Sequence, residues 1–542
     1  MTYKSDRWLW IVLSVGLTVR LIEIDAPLID HQAWRQTDTA AIARNFFQEE
    51  FNIFYPRIDW RGTTPGYVET NFPLFPFLVA CGYQVINSPQ EWIGRLFSAL
   101  FSTISAFFLY CLATRLFNNF WIARFSSVLF LAFPINVYFG RTFMPEALML
   151  LLSIGTLLTF LRWTETEKLR DFALATVTAG LCYAVKIPTL YLGFPLVAIA
   201  WVRWGWPFLT KPILWVYLFC SLMPPLSWYL HAASLFEETG LTFGIWNRYG
   251  YNKWAHDLLF TPDFYITICG RMAHRVFTPF GLALVLLGVF MRWPRKNTIP
   301  DNGFLARAQP CEAMLYAWAG GLILYLLVVP EGNRGLHYYQ LPFVPVGAIF
   351  ASIPLAAALT SSLKGSHPAI VKLLRPGSSS SWGIIGIFLG VILYGAVTLP
   401  DYYRPGQNMY NYYRSALLAG QILDRKLPEK ALIVVGDIDE SSDASFRAQS
   451  PTMLYYCNRK GWQILPGELE PEKLESLSLQ GADFFVAGHA YAAADSSFYS
   501  YLTRRGLSFP SAYPTRWNAA AAYLRAARDH SGLDRHFVVV PL

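Results

Sequence analysis

Along the first 400 residues, apolar runs of about 20 residues, the length that crosses a bilayer core, alternate with short polar breaks. They predict helices at roughly 8–24, 92–114, 120–139, 144–161, 171–186, 188–203, 212–231, 276–292, 313–330, 339–360 and 382–400, about eleven spans with ten to twelve compatible with the pattern. The Pro-broken run PLFPFLVACGYQVIN (73–87) is shorter and reads as a re-entrant or interfacial piece. From about 401 the apolar runs shorten, and ALIVVGD (431–437), WQIL (462–465), DFFVAG (483–488) and HFVVVPL (536–542) read as buried strands. Helical patterns at 411–426 and 470–480 lie between some of them. The expected fold is a polytopic α-helical membrane protein: a transmembrane domain at 1–400 with outer loops about 25–91 and 232–275, then an α/β domain at 401–542.

Composition supports lipid as the solvent. Of the 542 residues, 54% are hydrophobic and 15% charged, against about 25% charged in a soluble domain. The Lys and Arg of the short loops set the orientation. With the N-terminus inside, the inner connections hold Lys4 and Arg7; Arg115; Arg162, Lys168 and Arg170; Arg203 and Lys211; Arg292, Arg295, Lys296 and Arg307; Lys364, Lys372 and Arg375. The short outer turns hold one cation each: Arg141, Lys186 and Arg334. The net charge of +8 is thus largely topological and calls for no nucleic-acid partner, and the C-terminal domain is expected outside. The N-terminal apolar run lacks an A-x-A cleavage site and is expected to be retained. The seven Cys form no CxxC pair, which argues against a disulfide framework or thiolate metal site. The C-terminal region has no GxGxxG or GxxxxGK[ST], so no nucleotide cofactor is expected, and DIDESSDAS (437–445) lacks calcium-loop spacing and reads as a solvated loop.

Ionisable residues outside the inner loops need a reason in a membrane protein, and they gather on the outer side. In LIDHQAWRQTDTAAIARNF (28–46), a helix would put His31, Arg35 and Asp38 on one face. Asp30 would then stand at the N-cap, and on the plain structural reading Asp30 only caps while Arg35 and Asp38 merely pair. YVETNFPLFPF (67–77) carries Glu69. FGRTFMPEALML (139–150) carries Arg141 and Glu146 around Pro145, with Glu146 suited to a helix's first turn. YAVKIPTLYL (183–192) carries Lys186, and PEGNRGLHYYQLPFVP (330–345) carries Glu331, Arg334, His337, Tyr338 and Tyr339. One such cation can snorkel to the headgroups. Three, one per outer turn, suit a phosphate held at the outer surface. A polyprenyl-phosphate sugar meets that description: transfer would need a carboxylate base and cations or a metal for the departing phosphate.

In this order, these segments resemble the GT-C superfamily of lipid-phosphate-sugar glycosyltransferases, nearest its protein mannosyltransferase and lipid A aminoarabinose transferase branches (families 39 and 83), over about residues 8–400. The resemblance implies Asp30 as catalytic base or acceptor-orienting residue and Glu146 as the second-loop acid. It matches Glu69 to a loop acid that helps hold a divalent metal (Zn, Mg or Mn), with His274 or His256 as partner. The aminoarabinose branch follows that acid with Lys-Pro-Pro. This chain has Thr70, Asn71, Phe72 and Pro73, so Arg35, Lys186 or Arg334 would serve the phosphate instead. Implied partners are the bilayer, a polyprenyl-phosphate sugar donor and a lipid, glycan or protein acceptor, with inversion, at a bacterial inner membrane. The alternatives are a lipid-linked sugar flippase, which would favour internal repeats and midplane charges, and a polymerase or ligase using a polyprenyl-diphosphate glycan.

Overall fold

The computed structural model describes residues 6–246, 254–291, 310–360, 379–403, 407–436, 451–488, 492–493, 495–506 and 537–542. The polar stretch 437–445 and the expected inner-loop cations Lys4, Arg292, Arg295, Lys296, Arg307, Lys364, Lys372 and Arg375 lie outside the described residues. The chain forms two compact units: Met1–Asp25, Trp92–Leu230 and Asn252–Pro400 make one, and Ala26–Glu91, His231–Tyr251 and Asp401–Leu542 the other.

The described part of the first unit is helical throughout, with a helix at each expected span. Among the described residues, five helices are long and apolar enough to cross a membrane: Glu91–Phe117, Glu146–Thr166, Ile187–Trp204, Pro212–Thr239 and Trp382–Tyr403. The pair Pro262–Val276 and Thr278–Phe290, bent by 103°, is a broken span or a re-entrant loop. Phe120–Ala132, Glu312–Val328 and Phe343–Leu359 are apolar but shorter, so the length criterion passes fewer spans than the eleven expected. One reason is visible at 120–139, where the helix breaks at Phe133. Pro134 has no N–H and leaves the Phe130 carbonyl without its helical donor. Lipid offers no substitute. The Asn136 side-chain amide donates to that carbonyl at 2.6 Å. Arg20 reaches in from the Arg7–Leu21 helix and donates to the carbonyls of Leu131 (3.3 Å) and Asn136 (3.0 Å), to Ser102 Oγ and to Gly16 O. Gly140 admits this approach, since a Cβ there would lie 2.7 Å from Arg20 Nε and 2.4 Å from the Asn136 carbonyl.

In the second unit, β1 (Leu432–Gly436), β2 (Lys460–Ile464), β3 (Phe484–Gly488) and β4 (Phe537–Pro541) form a sheet in the order β2-β1-β3-β4. β1 runs parallel to β2 and β3, and β4 antiparallel to β3. Side chains alternate across the sheet as the two-residue strand period requires. Val434, Phe485, Ala487, Val538 and Val540 face Leu474, Leu477, Phe498 and Leu502. Ile433, Val435, Val486, Phe537 and Val539 face Ala416, Ala419 and Leu423, together with Ile42, Phe46, Ile58, Trp60 and Val68 of the first long loop. That loop therefore supplies about a third of one core. It carries two helices, Ala33–Gln48 and Leu74–Ile86, packed on each other with Phe46 and Phe77 edge to face at 5.5 Å. The expected re-entrant or interfacial piece at 73–87 is the second of them. The loop also covers the edge of β2, which would otherwise present unpaired backbone: Gly461 N–H donates to Asp59 O at 3.1 Å, and Gly62 N–H to Gly461 O at 2.6 Å.

A buried ionic knot closes the same seam. Asp59, 1% exposed, accepts from Arg44 at 2.5 Å, from Asn45 at 3.0 Å and from Lys460. Burial alone would raise its pKa, but Lys460 and Arg44 overcome that and hold the carboxyl down at about 2. A carboxyl with a lowered folded pKa stabilises above its unfolded value, and the benefit is lost as pH falls through the folded one. Asp59 should therefore contribute about 2 kcal/mol above about pH 4, lost on acidification toward pH 2. The difference in melting temperature between wild type and Asp59→Asn, followed across this window, isolates the term. It should shrink as the pH falls.

Candidate functional site

The helix that carries much of the first-loop chemistry begins at Ala33, not at Asp30. Gln32 takes a left-handed backbone conformation (φ 63°) and makes no side-chain cap. The expectation that Asp30 caps this helix, and that His31 shares its face with Arg35 and Asp38, does not hold. The cause is local: the Gln36 side-chain amide turns back and donates to Asp30 Oδ1 (2.5 Å) and to the His31 carbonyl (3.1 Å). This ties the two residues upstream of the helix to its first turn. Asp30 is almost wholly buried, and the His31 ring meets Tyr402 edge to face at 5.7 Å.

Arg35 and Asp38 take separate partners. The Arg35 guanidinium lies over the Phe243 ring at 4.6 Å, a cation–π contact. Asp38 Oδ1 accepts from Trp60 Nε1 at 3.0 Å. Burial pushes the Asp38 carboxyl well above the usual range, against the opposing pull of the Trp60 N–H and of Arg35, so this acid favours its neutral form. Glu69, fully buried, accepts from the Thr242 hydroxyl at 2.6 Å. Its backbone bridges the second long loop, donating to Leu241 O (2.9 Å) and accepting from Phe243 N–H (3.0 Å).

In the helical unit, three distant segments meet. Glu146 starts the Glu146–Thr166 helix, 1% exposed. Lys186 is the extended residue that ends the Leu169–Val185 helix, and its Nζ lies 2.8 Å from Glu146 Oε1. The ammonium also sits over Tyr338 at 5.2 Å and Tyr339 at 5.9 Å. Tyr338 belongs to the short 3-10 turn His337–Gln340 and rests against Phe139, with ring centroids 5.7 Å apart. An ammonium has three N–H donors, so Lys186 can serve a carboxylate and a second anion together. His337, half-buried, opens that turn.

The other expected cations differ in setting. Arg141 is fully buried and donates to the Glu23 carbonyl at 2.6 Å. Arg334 is half-exposed, with Nε 2.9 Å from Asp263 Oδ2. Asp263, Gln36 and Trp60 are partners that the sequence reading did not single out. Arg20 was missed too, although a cation inside an apolar helix is itself a signal.

Among the described residues, no three His, Cys, Asp or Glu side chains gather as a metal site. Glu69 and His274 belong to different units. His274 Nδ1 lies 2.7 Å from the Tyr394 hydroxyl, and His256 is exposed at the start of the 3-10 turn His256–Phe260. No step is derived through a metal.

Residues 69–229 match the family model described as dolichyl-phosphate-mannose-protein mannosyltransferase. No curated protein matches. Among solved structures, ArnT from Cupriavidus metallidurans bound to undecaprenyl phosphate is similar, with a TM-score of 0.60 and 15% identity, over 99% of this chain and 98% of that one. The archaeal oligosaccharyltransferase AglB from Archaeoglobus fulgidus, in complex with an inhibitory peptide and a dolichol-phosphate, gives 0.55 and 12%, over 93% and 71%. The Archaeoglobus fulgidus oligosaccharyltransferase in complex with Zn and sulfate gives 0.52 and 12%, over 91% and 69%. The resemblance read from the sequence stands: this chain has the fold of the membrane-embedded GT-C glycosyltransferases.

The Glu146–Lys186 pair should behave as a compensated buried pair. Removing one partner strands the other charge and costs about 3–5 kcal/mol. Lys186→Met and Glu146→Leu should each lower the melting temperature, and the double variant should recover most of the loss. Additive losses would show that the two charges do not depend on each other.

Proposed function

We propose that this chain is a membrane glycosyltransferase that moves a sugar from a polyprenyl phosphate to an extracytoplasmic acceptor, with inversion at the anomeric carbon. The observation that carries the reading is the half-buried Lys186 ammonium set between the buried Glu146 and two tyrosine rings, on a fold whose similar solved structures include two holding polyprenyl phosphates. A charged group inside an apolar helical unit is costly and marks function more often than stability.

In this reading Lys186 and Arg334 hold the lipid phosphate, Tyr338 and His337 line its surroundings, and Glu146 keeps Lys186 charged and in place. Arg141 braces the outer end of the first helix through the Glu23 carbonyl and adds positive charge. The acceptor hydroxyl attacks the anomeric carbon, forming the new C–O bond as the bond to the phosphate oxygen breaks. The electron pair leaves with the polyprenyl phosphate, whose developing charge the cations stabilise. The acceptor proton passes to the Asp30 carboxylate. Gln36, donating to one Asp30 oxygen, fixes the rotamer. Arg35 and Asp38 shape the acceptor side. The N-terminus lies in the cytoplasm and the α/β domain outside, in the inner membrane of a bacterial envelope.

Purified protein given polyprenyl-phosphate sugars should release the lipid phosphate. Asp30→Asn should lower turnover by roughly 10²–10⁴-fold, the usual worth of a general base, with donor binding retained. Unaltered turnover in Asp30→Asn would remove Asp30 from the chemistry. Transfer of intact lipid-linked sugar across liposomes, with no donor cleaved, would replace the enzyme by a transporter.

A further inference from the structure

The segment that carries Asp30 is not a regular element. Residues 28–30 are irregular and bent, and 31–32 form a turn that ends in the left-handed Gln32. A base on such a segment holds its place only if something outside the segment grips it, and the C-terminal domain grips it at both ends. On the near side, Leu28 N–H donates to the Tyr456 hydroxyl at 2.7 Å, and His31 N–H to the Tyr402 carbonyl at 3.1 Å. Ile29 and Ala33 pack with Tyr413, Leu417 and Tyr456. At the far end of the following helix, Arg44 donates to the Tyr455 carbonyl at 2.7 Å, and its guanidinium lies 4.6 Å from the Tyr455 ring. Lys460 there binds Asn45 Oδ1 at 2.6 Å and Asp59.

Tyr455 and Tyr456 are neighbours at the end of one helical turn, Thr452–Tyr456. That turn is set against the Gln407–Lys426 helix by Gly420, where a Cβ would fall 2.7 Å from Tyr456 Cβ and 3.0 Å from its carbonyl carbon. One rigid turn of the α/β domain thus reaches both ends of the Asp30-bearing stretch, and Lys460, opening β2 just beyond it, locks the far end.

We infer that the C-terminal α/β domain positions the Asp30 carboxylate, with Tyr456 and Lys460 as the positioning residues. The inference rests on the reading of Asp30 as the base and assigns the domain its part in the reaction. Neither residue touches a reacting atom. Each acts through the backbone or helix that bears Asp30, so its loss should cost the chemical step more than donor binding, because displacement of a catalytic group by about 1 Å can cost on the order of 100-fold.

The test uses the full-length protein with Tyr456→Phe, Lys460→Met, Lys460→Arg and Gly420→Ala, comparing hydrogen exchange across 28–40 with donor kcat and KM per folded molecule. Tyr456→Phe and Lys460→Met should speed exchange in that stretch while the apolar helices stay protected. They should lower kcat roughly tenfold or more with KM within about twofold, and Lys460→Arg should regain most of the rate. Gly420→Ala, which pushes on the turn through the Tyr456 backbone and Cβ but leaves the Tyr456 hydroxyl and the Lys460 ammonium in place chemically, should resemble Tyr456→Phe. Unchanged exchange in both grip variants overturns the inference, and so does faster exchange with kcat untouched. If wild type cleaves no polyprenyl-phosphate sugar, the base reading falls. Exchange then decides by itself whether the domain holds the segment.

Discussion

A charge inside an apolar helical unit has to be matched where it stands, because no water is there to do it. Much of this structure can be understood as an answer to that constraint. Arg20 finds the carbonyls that the break at Pro134 exposes. Arg141 finds the Glu23 carbonyl just beyond the first helix. Lys186 finds Glu146 and two tyrosine faces. The first two arrangements turn the arginines toward backbone carbonyls. The third sets a cation beside a carboxylate and aromatic faces, with ammonium donors still able to take an anion. That difference singles out Lys186 as the centre of the phosphate reading.

The second unit solves a different problem. A long polar loop between apolar helices would be mobile unless its apolar side were buried. Here Ile42, Phe46, Ile58, Trp60 and Val68 enter the core beneath a four-stranded sheet, and the Asp59–Arg44–Lys460 knot ties the polar edge of the seam. Fold and function are linked through this shared core: the residues that complete the sheet's packing flank those proposed to act on the acceptor.

The helices and strands were legible because their signal is periodic and local. All four strands form where apolar runs predicted them, and the shift at 401 coincides with the start of a segment of the second unit. The individual motifs around Glu146, Lys186 and Tyr338 were legible as ionisable residues out of place, but no spacing rule told that Lys186 meets Glu146 while Arg334 meets Asp263. Such pairings depend on how helices 40 to 150 residues apart pack. The start of the Ala33–Gln48 helix was misjudged because Asp30 is a good capping residue by type. The Gln36 side chain, six positions on, competes for that carboxylate and places the boundary at a left-handed Gln32. The sharing of one core by the first loop and the α/β domain was invisible, since neither segment shows its partner in its own periodicity.

The claim on which the functional account turns is that Lys186 holds the donor phosphate. The most direct measurement is the position of that phosphate in a cryo-EM structure of the protein with a polyprenyl-phosphate sugar bound. The account predicts a phosphate oxygen within about 3 Å of Lys186 Nζ, with the Glu146 pair kept. A phosphate bound out of reach of both Lys186 and Arg334 would contradict it.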